Sequence, residues 1–275
     1  MAQILDLSDL IRLATGDGYP ESIFFYRDAR VGAAVAVATV AGRLTSLWQY
    51  NGIPAGGAKP GAAAVPNNAT AGGLLQTNPG GTREKWLLGI TAASLAAGTL
   101  ILYDRLLHCG GLDGTVTTPQ AVGGTLTRST GGIGNQIWAE IYDLVGVTAR
   151  NITAIYTNEN DEAKTTVATA IGGTGFREAQ RLIVLPLAAG DRGVKGVTSV
   201  TLDASTGTAG DFGVNVINPV AIVPLGLVGV GSMRDFIAGL PSIVKVDSGA
   251  CLAMAWLANA TAAPQVLGSV HFVEK

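Results

Sequence analysis

Charged side chains are scarce in this chain. Lysine, arginine, aspartate and glutamate make up 14% of its 275 residues, against roughly 25% in an average soluble domain. A surface with so few charges is poorly suited to stand alone in water, so we expect other subunits to cover part of it. The alternative is a glycine- and alanine-rich monomer whose surface is mostly threonine, serine and asparagine.

The chain also lacks an excess of positive charge. Its formal net charge is −2, and its lysines and arginines are scattered along the sequence. Neutralising phosphates requires a basic patch, so we expect no nucleic-acid partner.

Cysteine and histidine are each present only twice. The separation of Cys109 and Cys251 matches neither a zinc site nor a disulfide framework, which favours two buried thiols over a single disulfide. His108 is adjacent to Cys109, so on a strand the two side chains would point to opposite faces, a poor geometry for a thiolate–imidazole pair. Pairing of Cys251 with His271 has no local support.

Motifs for metal or cofactor binding are missing as well. Glu159, Asp161 and Glu162 offer oxygen ligands, but without the spacing and glycine of an EF-hand a charged hairpin turn is favoured over a Ca²⁺ site. The glycine-rich pieces at 130–135 and 226–231 carry no phosphate-binding lysine and are typical of turns. We therefore predict a non-enzymatic protein with no catalytic residues, no cofactor and no metal.

No stretch is typical of a membrane-spanning helix. Residues 86–103 and 212–233 are uncharged, but glycines and threonines interrupt the first, and Pro219 and Pro224 the second, which fits buried strands better. The N-terminus has no basic region followed by an apolar core, so it does not resemble a secretory signal. We expect a soluble protein made in the cytoplasm, without a membrane partner.

What the chain does contain is strand pattern, clearest over residues 135–170. Ile137 and Ile141 fall on one face of an extended chain and Trp138 and Tyr142 on the other, and residues 152–157 alternate in the same way. Period-two alternation of β-branched and aromatic residues between turns predicts strands. Similar runs recur about every ten residues, and only residues 8–14 and 233–238 look helical. The pattern predicts an all-β chain, an antiparallel β-sandwich or jelly-roll-like fold.

Two segments depart from this pattern. We interpret residues 1–30 as an extended N-terminal arm and residues 31–275 as the β domain. Within that domain, residues 51–73 contain three prolines and almost no large side chain, which predicts a long, flexible Gly/Ala/Pro loop. It is either an arm laid along a partner or an ordinary surface loop.

A family resemblance adds to this interpretation. Residues 46–50 (Ser-Leu-Trp-Gln-Tyr), the Gly/Ala/Pro loop after them, and residues 98–108 followed by Gly-Gly-Leu-Asp-Gly-Thr-Val-Thr-Thr at 110–118 resemble structural proteins of tailed-bacteriophage virions. The resemblance is to proteins that decorate, or cement, the head. It implies a β-rich homotrimer, made in the host cytoplasm, that binds the major capsid protein at three-fold and quasi-three-fold positions on the capsid surface.

If the resemblance holds, residues 1–30 and 51–73 would bridge neighbouring capsomers by main-chain pairing. Deleting residues 1–30 should then leave the β domain folded and weaken attachment to the capsid. The candidate interface residues are Phe24, Phe25, Tyr26, Trp48, Tyr50, Pro54, Pro60 and Pro66.

Other functions stay open. A tail protein or a major capsid protein is possible, although the spine helix expected of the latter is not visible. A carbohydrate-binding or depolymerising β protein would need an exposed aromatic platform or paired carboxylates. The apolar neighbours of the four tryptophans favour core or interface positions instead, and no motif marks a pair of carboxylates. A surface-layer protein is disfavoured by the missing signal.

Overall fold

A computed structural model describes residues 7–12, 18–29, 39–235 and 244–275 of the chain. Within these ranges the only helix is α1 (Leu7–Arg12), and the rest is strands and connections. The strands are β1 (Tyr19–Asp28), β2 (Leu44–Ser46), β3 (Asn51–Ile53), β4 (Lys85–Ser94), β5 (Gly98–Leu112), β6 (Gln120–Ala121), β7 (Gln136–Asp143), β8 (Arg150–Asn158), β9 (Ala163–Thr165), β10 (Thr169–Ile171), β11 (Leu182–Leu185), β12 (Val194–Leu202), β13 (Asp211–Leu225), β14 (Ser232–Asp235), β15 (Val244–Val246), β16 (Leu252–Ala258) and β17 (Gln265–Glu274).

The strands form three antiparallel sheets. The first has the order β14-β4-β17-β1-β3, with β15 also paired to β4. The middle sheet has the order β11-β7-β13-β5-β16-β2, and the third has the order β10-β8-β12-β6 with β9 beside β8. The predicted all-β, antiparallel sandwich-like fold class is confirmed.

The middle sheet is shared by two hydrophobic cores because β5 and β13 are 15 residues long and pair along their length. Leu100 and Leu102 of β5 belong to the core under the first sheet, together with Phe25. Further along the same strand, Leu107 belongs to the core under the third sheet, together with Tyr156. One long strand pair therefore connects two sandwiches.

The alternation over residues 135–170 is confirmed. Ile137 and Ile141 of β7 are buried in the core under the third sheet, whereas Trp138 belongs to a third cluster on the opposite face of the middle sheet. Side chains on the two faces of a strand alternate, so a single strand contributes to both clusters.

Both long uncharged stretches are strands, as predicted. Residues 86–103 run through β4 into β5, and residues 212–233 through β13 into β14. Pro219 lies beyond Ile217, where pairing with β7 ends, and next to a register shift against β5. A proline has no N–H to donate, so it is tolerated at such a bulge.

Residues 51–53 form β3 of the first sheet, and the segment after them lies along the chain's own middle sheet. Trp48 Nε1 donates to Ala58 O at 2.9 Å, Ala64 forms a β-bridge with His108, and Arg128 Nη2 donates to Pro66 O at 3.0 Å. The small side chains are what permit this contact, since a Cβ added at Gly57 would lie 2.4 Å from the Trp48 ring. The segment predicted to be flexible is therefore held against its own chain by hydrogen bonds.

Beyond α1, the described part of the predicted arm is a sheet strand. β1 pairs with β17 over all ten of its residues and with β3 on its other side, and Phe25 is completely buried. Removing residues 1–30 would delete an inner strand of the first sheet. The expectation that this deletion leaves the β domain folded is therefore corrected. Residues 1–6, 13–17 and 30 of the arm lie outside the described residues.

The two helical predictions have different outcomes. The helix predicted at residues 8–14 corresponds to α1, in which Arg12 Nη2 lies 3.2 Å from Asp9 Oδ1. Residues 13 and 14 lie outside the described residues. Residues 232–235, in contrast, form β14 and pair with β4, so the predicted helix at 233–238 is wrong for its first three residues. The free edge of β4 supplies backbone partners that outweigh a weak local preference. Residues 236–238 lie outside the described residues.

Candidate interaction surface

Most of the predicted interface residues are buried inside the chain. Phe25, Trp48, Tyr50, Pro60 and Pro66 are core positions. They cannot face a partner in this fold, which corrects that part of the prediction. Strand alternation explains Phe25, and contact between residues 51–73 and the middle sheet explains Trp48 and the two prolines.

The other three predicted residues retain surface. Phe24 is exposed, and Tyr26 and Pro54 are partly exposed. Phe24 and Tyr26 lie on the outward face of β1, opposite to Phe25. This places them on the outer side of the first sheet.

Apolar side chains from four strands meet on that outer side. In one cross-strand row Met233 lies beside Thr91, Ser269 and Phe24, and in the next Leu267 lies between Ala93 and Tyr26, with Ile53 beyond. We call this surface the apolar face. Four of its side chains are between 46% and 64% exposed: Phe24, Ile53, Leu267 and Met233. Sequence reasoning missed Ile53, Leu267 and Met233, because only sheet pairing brings them beside Phe24.

A row of hydrogen-bonded polar side chains crosses the apolar face. Thr91 Oγ1 lies 2.8 Å from Ser269 Oγ, which lies 2.9 Å from His271 Nε2. The other ring nitrogen, Nδ1, lies 2.9 Å from Ser22 Oγ. Both nitrogens of His271 are thus occupied by hydroxyls, and no carboxylate orients the ring as in a catalytic triad. The row contributes hydrogen-bonding groups to the surface without adding a lysine, arginine or carboxylate.

One ion pair is fully closed to solvent. Arg105 Nη2 lies 2.9 Å from Glu140 Oε2, and both side chains are 0% exposed. Tyr142 Oη accepts from Arg105 Nη2 at 2.8 Å, and Asn215 Nδ2 donates to Glu140 Oε2 at 2.8 Å. Burial alone would lower the pKa of Arg105, but the Glu140 carboxylate outweighs it and the pKa is raised. This cluster links β5, β7 and β13 and has no access for a substrate.

Trp48 covers the buried pair. The Arg105 guanidinium carbon lies 4.3 Å from the Trp48 ring centroid, a cation–π contact. His108 Nδ1 accepts from Arg105 Nε at 3.1 Å. Burial, together with the Arg105 charge, lowers the pKa of His108 to about 3, so this imidazole is neutral at neutral pH.

The two cysteines are separate buried thiols, as the sequence favoured. Cys109 belongs to the core under the third sheet, and Cys251 to the cluster on the other face of the middle sheet. Burial raises the pKa of Cys251 to about 12 and also raises that of Cys109. A nucleophilic cysteine needs a lowered pKa, so neither thiol has the properties of one.

The acidic turn at 158–162 is held by hydrogen bonds and ion pairs. Glu159 accepts from the backbone of residues 192 and 193, Asp161 lies 2.8 Å from Lys195, and Glu162 lies 3.0 Å from Lys164. Each carboxylate thus has a different partner. Across the described ranges, no group of three or more histidines, cysteines, aspartates and glutamates is placed to hold a metal ion.

A small polar cavity of about 150 Å³ lies between the first and middle sheets, lined in part by Asp104, Ser129 and Asp247. Arg128 donates to both oxygens of Asp104, and the backbone N–H of Cys251 donates to one of them. The cavity is smaller than the roughly 300–1,000 Å³ of ordinary ligand sites, and its buried carboxylate is already paired.

Trp48, Trp138 and Trp256 are buried, and Trp86 is only partly exposed. Three of the four tryptophans therefore cannot contribute to a sugar-stacking platform. Among the helical residues that the structure describes, none form a segment long and apolar enough to cross a membrane.

Comparisons with known proteins do not assign the chain to a family. No protein-family model matches the sequence, and no curated protein matches it. Among solved structures, the chain is similar to the D431N mutant VP2 protein of infectious bursal disease virus, with 9% identity, coverage of 100% of this chain and 84% of that one, and a TM-score of 0.20. The VP2 subviral particle of the same virus gives 10% identity, 94% and 80% coverage, and a TM-score of 0.18. Similarities with TM-scores this low carry no argument about fold or function.

Proposed function

We propose that this chain is a non-enzymatic structural protein of a virion, of the type that decorates a phage head. It would bind the outside of the capsid and stabilise the shell. Its partners would be the major capsid protein and further copies of itself, as a homotrimer on the capsid surface after synthesis in the host cytoplasm. The observation that carries this proposal is the apolar face.

The chemistry of the apolar face supports a protein partner. Phe24, Ile53, Leu267 and Met233 are exposed side by side on one sheet. Exposed apolar patches of several hundred Å² on otherwise polar surfaces mark interaction sites. A sheet face offers a broad surface without a deep pocket, which suits a protein surface better than a small molecule.

The charged pair, the thiols and His271 are arranged as structural groups, which supports a non-enzymatic role. The Arg105–Glu140 pair is sealed inside, both thiols are buried, and His271 is bonded to hydroxyls alone. These groups stabilise the fold rather than react. A rigid β protein that binds only the assembled shell stabilises that state by mass action.

Binding to undecorated heads of the phage that encodes the chain tests the proposal. The double variant Phe24→Ser/Ile53→Ser removes two exposed side chains of the apolar face. Ile155→Ser/Val167→Ser is the matched control, because these residues are also exposed but lie on or beside strands of the third sheet. The number of copies that sediment with heads, measured over a range of protein concentrations, gives the affinity of each protein for the heads.

We expect the wild type and the control to saturate the heads, and the Phe24/Ile53 variant to bind at least tenfold more weakly. Failure of the wild type to bind would refute the proposed function. Equal binding of all three proteins would show that the apolar face is not the surface that binds the capsid.

A further inference from the structure

An exposed apolar loop lies beside the apolar face. Residues 226–231, Gly-Leu-Val-Gly-Val-Gly, connect β13 to β14. Leu227, Val228 and Val230 are between 52% and 69% exposed, and Leu95 in the adjacent β4–β5 turn is 55% exposed. Gly229 N donates to Ser94 O at 2.8 Å, which ties the loop to that turn. Four exposed apolar side chains are thus grouped on the loop and the adjacent turn, and the loop contains no polar side chain.

A groove lies next to the loop on the apolar face. It has a volume of about 300 Å³, and its lining includes Thr91, Ala93, Met233 and Leu267. The groove is open to solvent along the sheet surface, so it is accessible to aliphatic side chains from another protein surface. Every lining residue is uncharged, which leaves a charged partner nothing to pair with.

We propose that the apolar loop of one copy of this chain inserts into the groove of another, and that this contact holds the oligomer together. The inference rests on the proposed function and deepens it, by naming the surface through which copies meet. Val228 and Leu227 are the inserting side chains, and Met233 and Leu267 are the walls that receive them.

A second copy fits better than a different partner because the two surfaces match each other. Both are apolar, both lack charge, and both are carried by the same chain, so symmetric copies satisfy each other's loop and groove without any third component. A chain with only 14% charged residues also has few groups that would keep such surfaces apart.

The exposed apolar side chains supply part of the area that such a contact needs. Full burial of one aliphatic side chain removes roughly 60–120 Å² from water. The six half-exposed side chains of the loop, turn and groove therefore supply on the order of 300 Å² per copy, and a ring such as a homotrimer divides this area between the two contacts that each copy makes. A standard interface buries about 800 Å² per partner, of which roughly 65% is apolar at the core of the patch. The remaining area would come from residues around the loop and the groove.

The first test is the solution mass of the full chain, by light scattering over a range of concentrations and without capsids. Val228→Asp changes the loop, Met233→Asp changes the groove, and Val167→Asp is the control, since Val167 is 53% exposed elsewhere. All three positions are exposed in the single chain, so each variant should fold, and thermal unfolding checks this.

We expect a multimer for the wild type and the control. Val228→Asp and Met233→Asp should each raise the dissociation constant of the multimer at least tenfold. A monomeric wild type at high concentration, or a multimer that both aspartates leave unchanged, would overturn the inference.

Cross-linking between separate chains tests the register. One chain carries Val228→Cys and a size tag, and the other carries Thr91→Cys. Mixed under mild oxidation, they should form the mixed disulfide, and a Val167→Cys chain mixed with the Thr91→Cys chain should not. The native cysteines do not interfere because both are buried. Equal yields from the two mixtures would contradict the proposed insertion.

The outcomes separate this inference from the proposed function. A chain that forms loop–groove multimers but does not bind heads would refute the function and leave the contact standing. A monomer that binds heads, and loses that binding with Val228→Asp, would assign the loop to the capsid protein and refute the contact between copies.

Discussion

Breaking the Arg105–Glu140 pair should destabilise the protein strongly. Both side chains are 0% exposed, and the charged atoms lie 2.9 Å apart. Glu140→Gln keeps the shape and an acceptor for Asn215 but removes the charge that compensates the guanidinium. Leaving one member of a buried pair uncompensated typically destabilises a protein by about 3–5 kcal/mol. For a chain of this size, that corresponds to a fall in Tm of roughly 6–20 °C.

The assay is unfolding in guanidinium chloride followed by circular dichroism, at one protein concentration so that association does not vary. Asp161→Asn is the control, because Asp161 pairs with Lys195 at 2.8 Å but its side chain is 76% exposed. An exposed pair contributes less than about 1 kcal/mol. The control should therefore unfold close to the wild type.

A double variant separates the charge from the packing. Arg105→Met/Glu140→Met replaces the pair with apolar side chains, which removes the unpaired charge and leaves Tyr142 and Asn215 without this partner. Replacement of a buried pair by apolar residues is often close to neutral, so we expect the double variant to recover at least about 2 kcal/mol relative to Glu140→Gln. A loss below about 1 kcal/mol for Glu140→Gln, or no recovery in the double variant, would refute the reasoning.

Two further predictions concern pH and backbone packing. The pKa of His108 is lowered to about 3 by burial and the Arg105 charge, against about 6.5 in an unfolded chain. The unfolded state thus binds more protons between these values, and stability falls as pH drops below about 6.5. The loss from pH 7 to pH 5 should be about 2 kcal/mol smaller in His108→Asn, and equal losses would contradict this. Gly213→Ala should destabilise by about 1–3 kcal/mol in denaturant unfolding, since its Cβ would lie 1.8 Å from Cys109 O, whereas Gly61→Ala meets nothing within 4 Å and should be neutral.

Local pattern was enough for the strands of the central region. In β8, the alternation of residues 152–157 matches the face that the structure buries. β7 is a strand as predicted, but it is buried on both faces because hydrophobic clusters lie on both sides of the middle sheet. Alternation is a property of the extended backbone itself, so it survives whatever the strand packs against. The apolar neighbours of the four tryptophans favoured core or interface positions, and three of the four are buried. Both cysteines are buried thiols, as their spacing favoured.

The candidate surface could not be found in the same way. Phe24 and Phe25 are neighbours with the same side chain. Their positions on a strand predict opposite faces without indicating which of the two points inward. Pairing with β17 decides that Phe25 enters the core and that Phe24 lies outside beside Leu267 and Ile53. The contacts of residues 51–73 could not be predicted for a related reason, because their hydrogen-bonding partners are distant residues such as His108 and Arg128.

The sequence by itself determined the type of structure: antiparallel strands, buried thiols, few charges and a chain without a recognisable catalytic motif. These follow from the alternation, composition and spacing of neighbouring residues. Only the tertiary structure decided that the middle sheet is shared by two cores, that Arg105 meets Glu140, and that apolar side chains from β1, β3, β14 and β17 form one exposed face. Those contacts join residues far apart in sequence, and which strands pair is set by the packing of the whole chain rather than by any local preference.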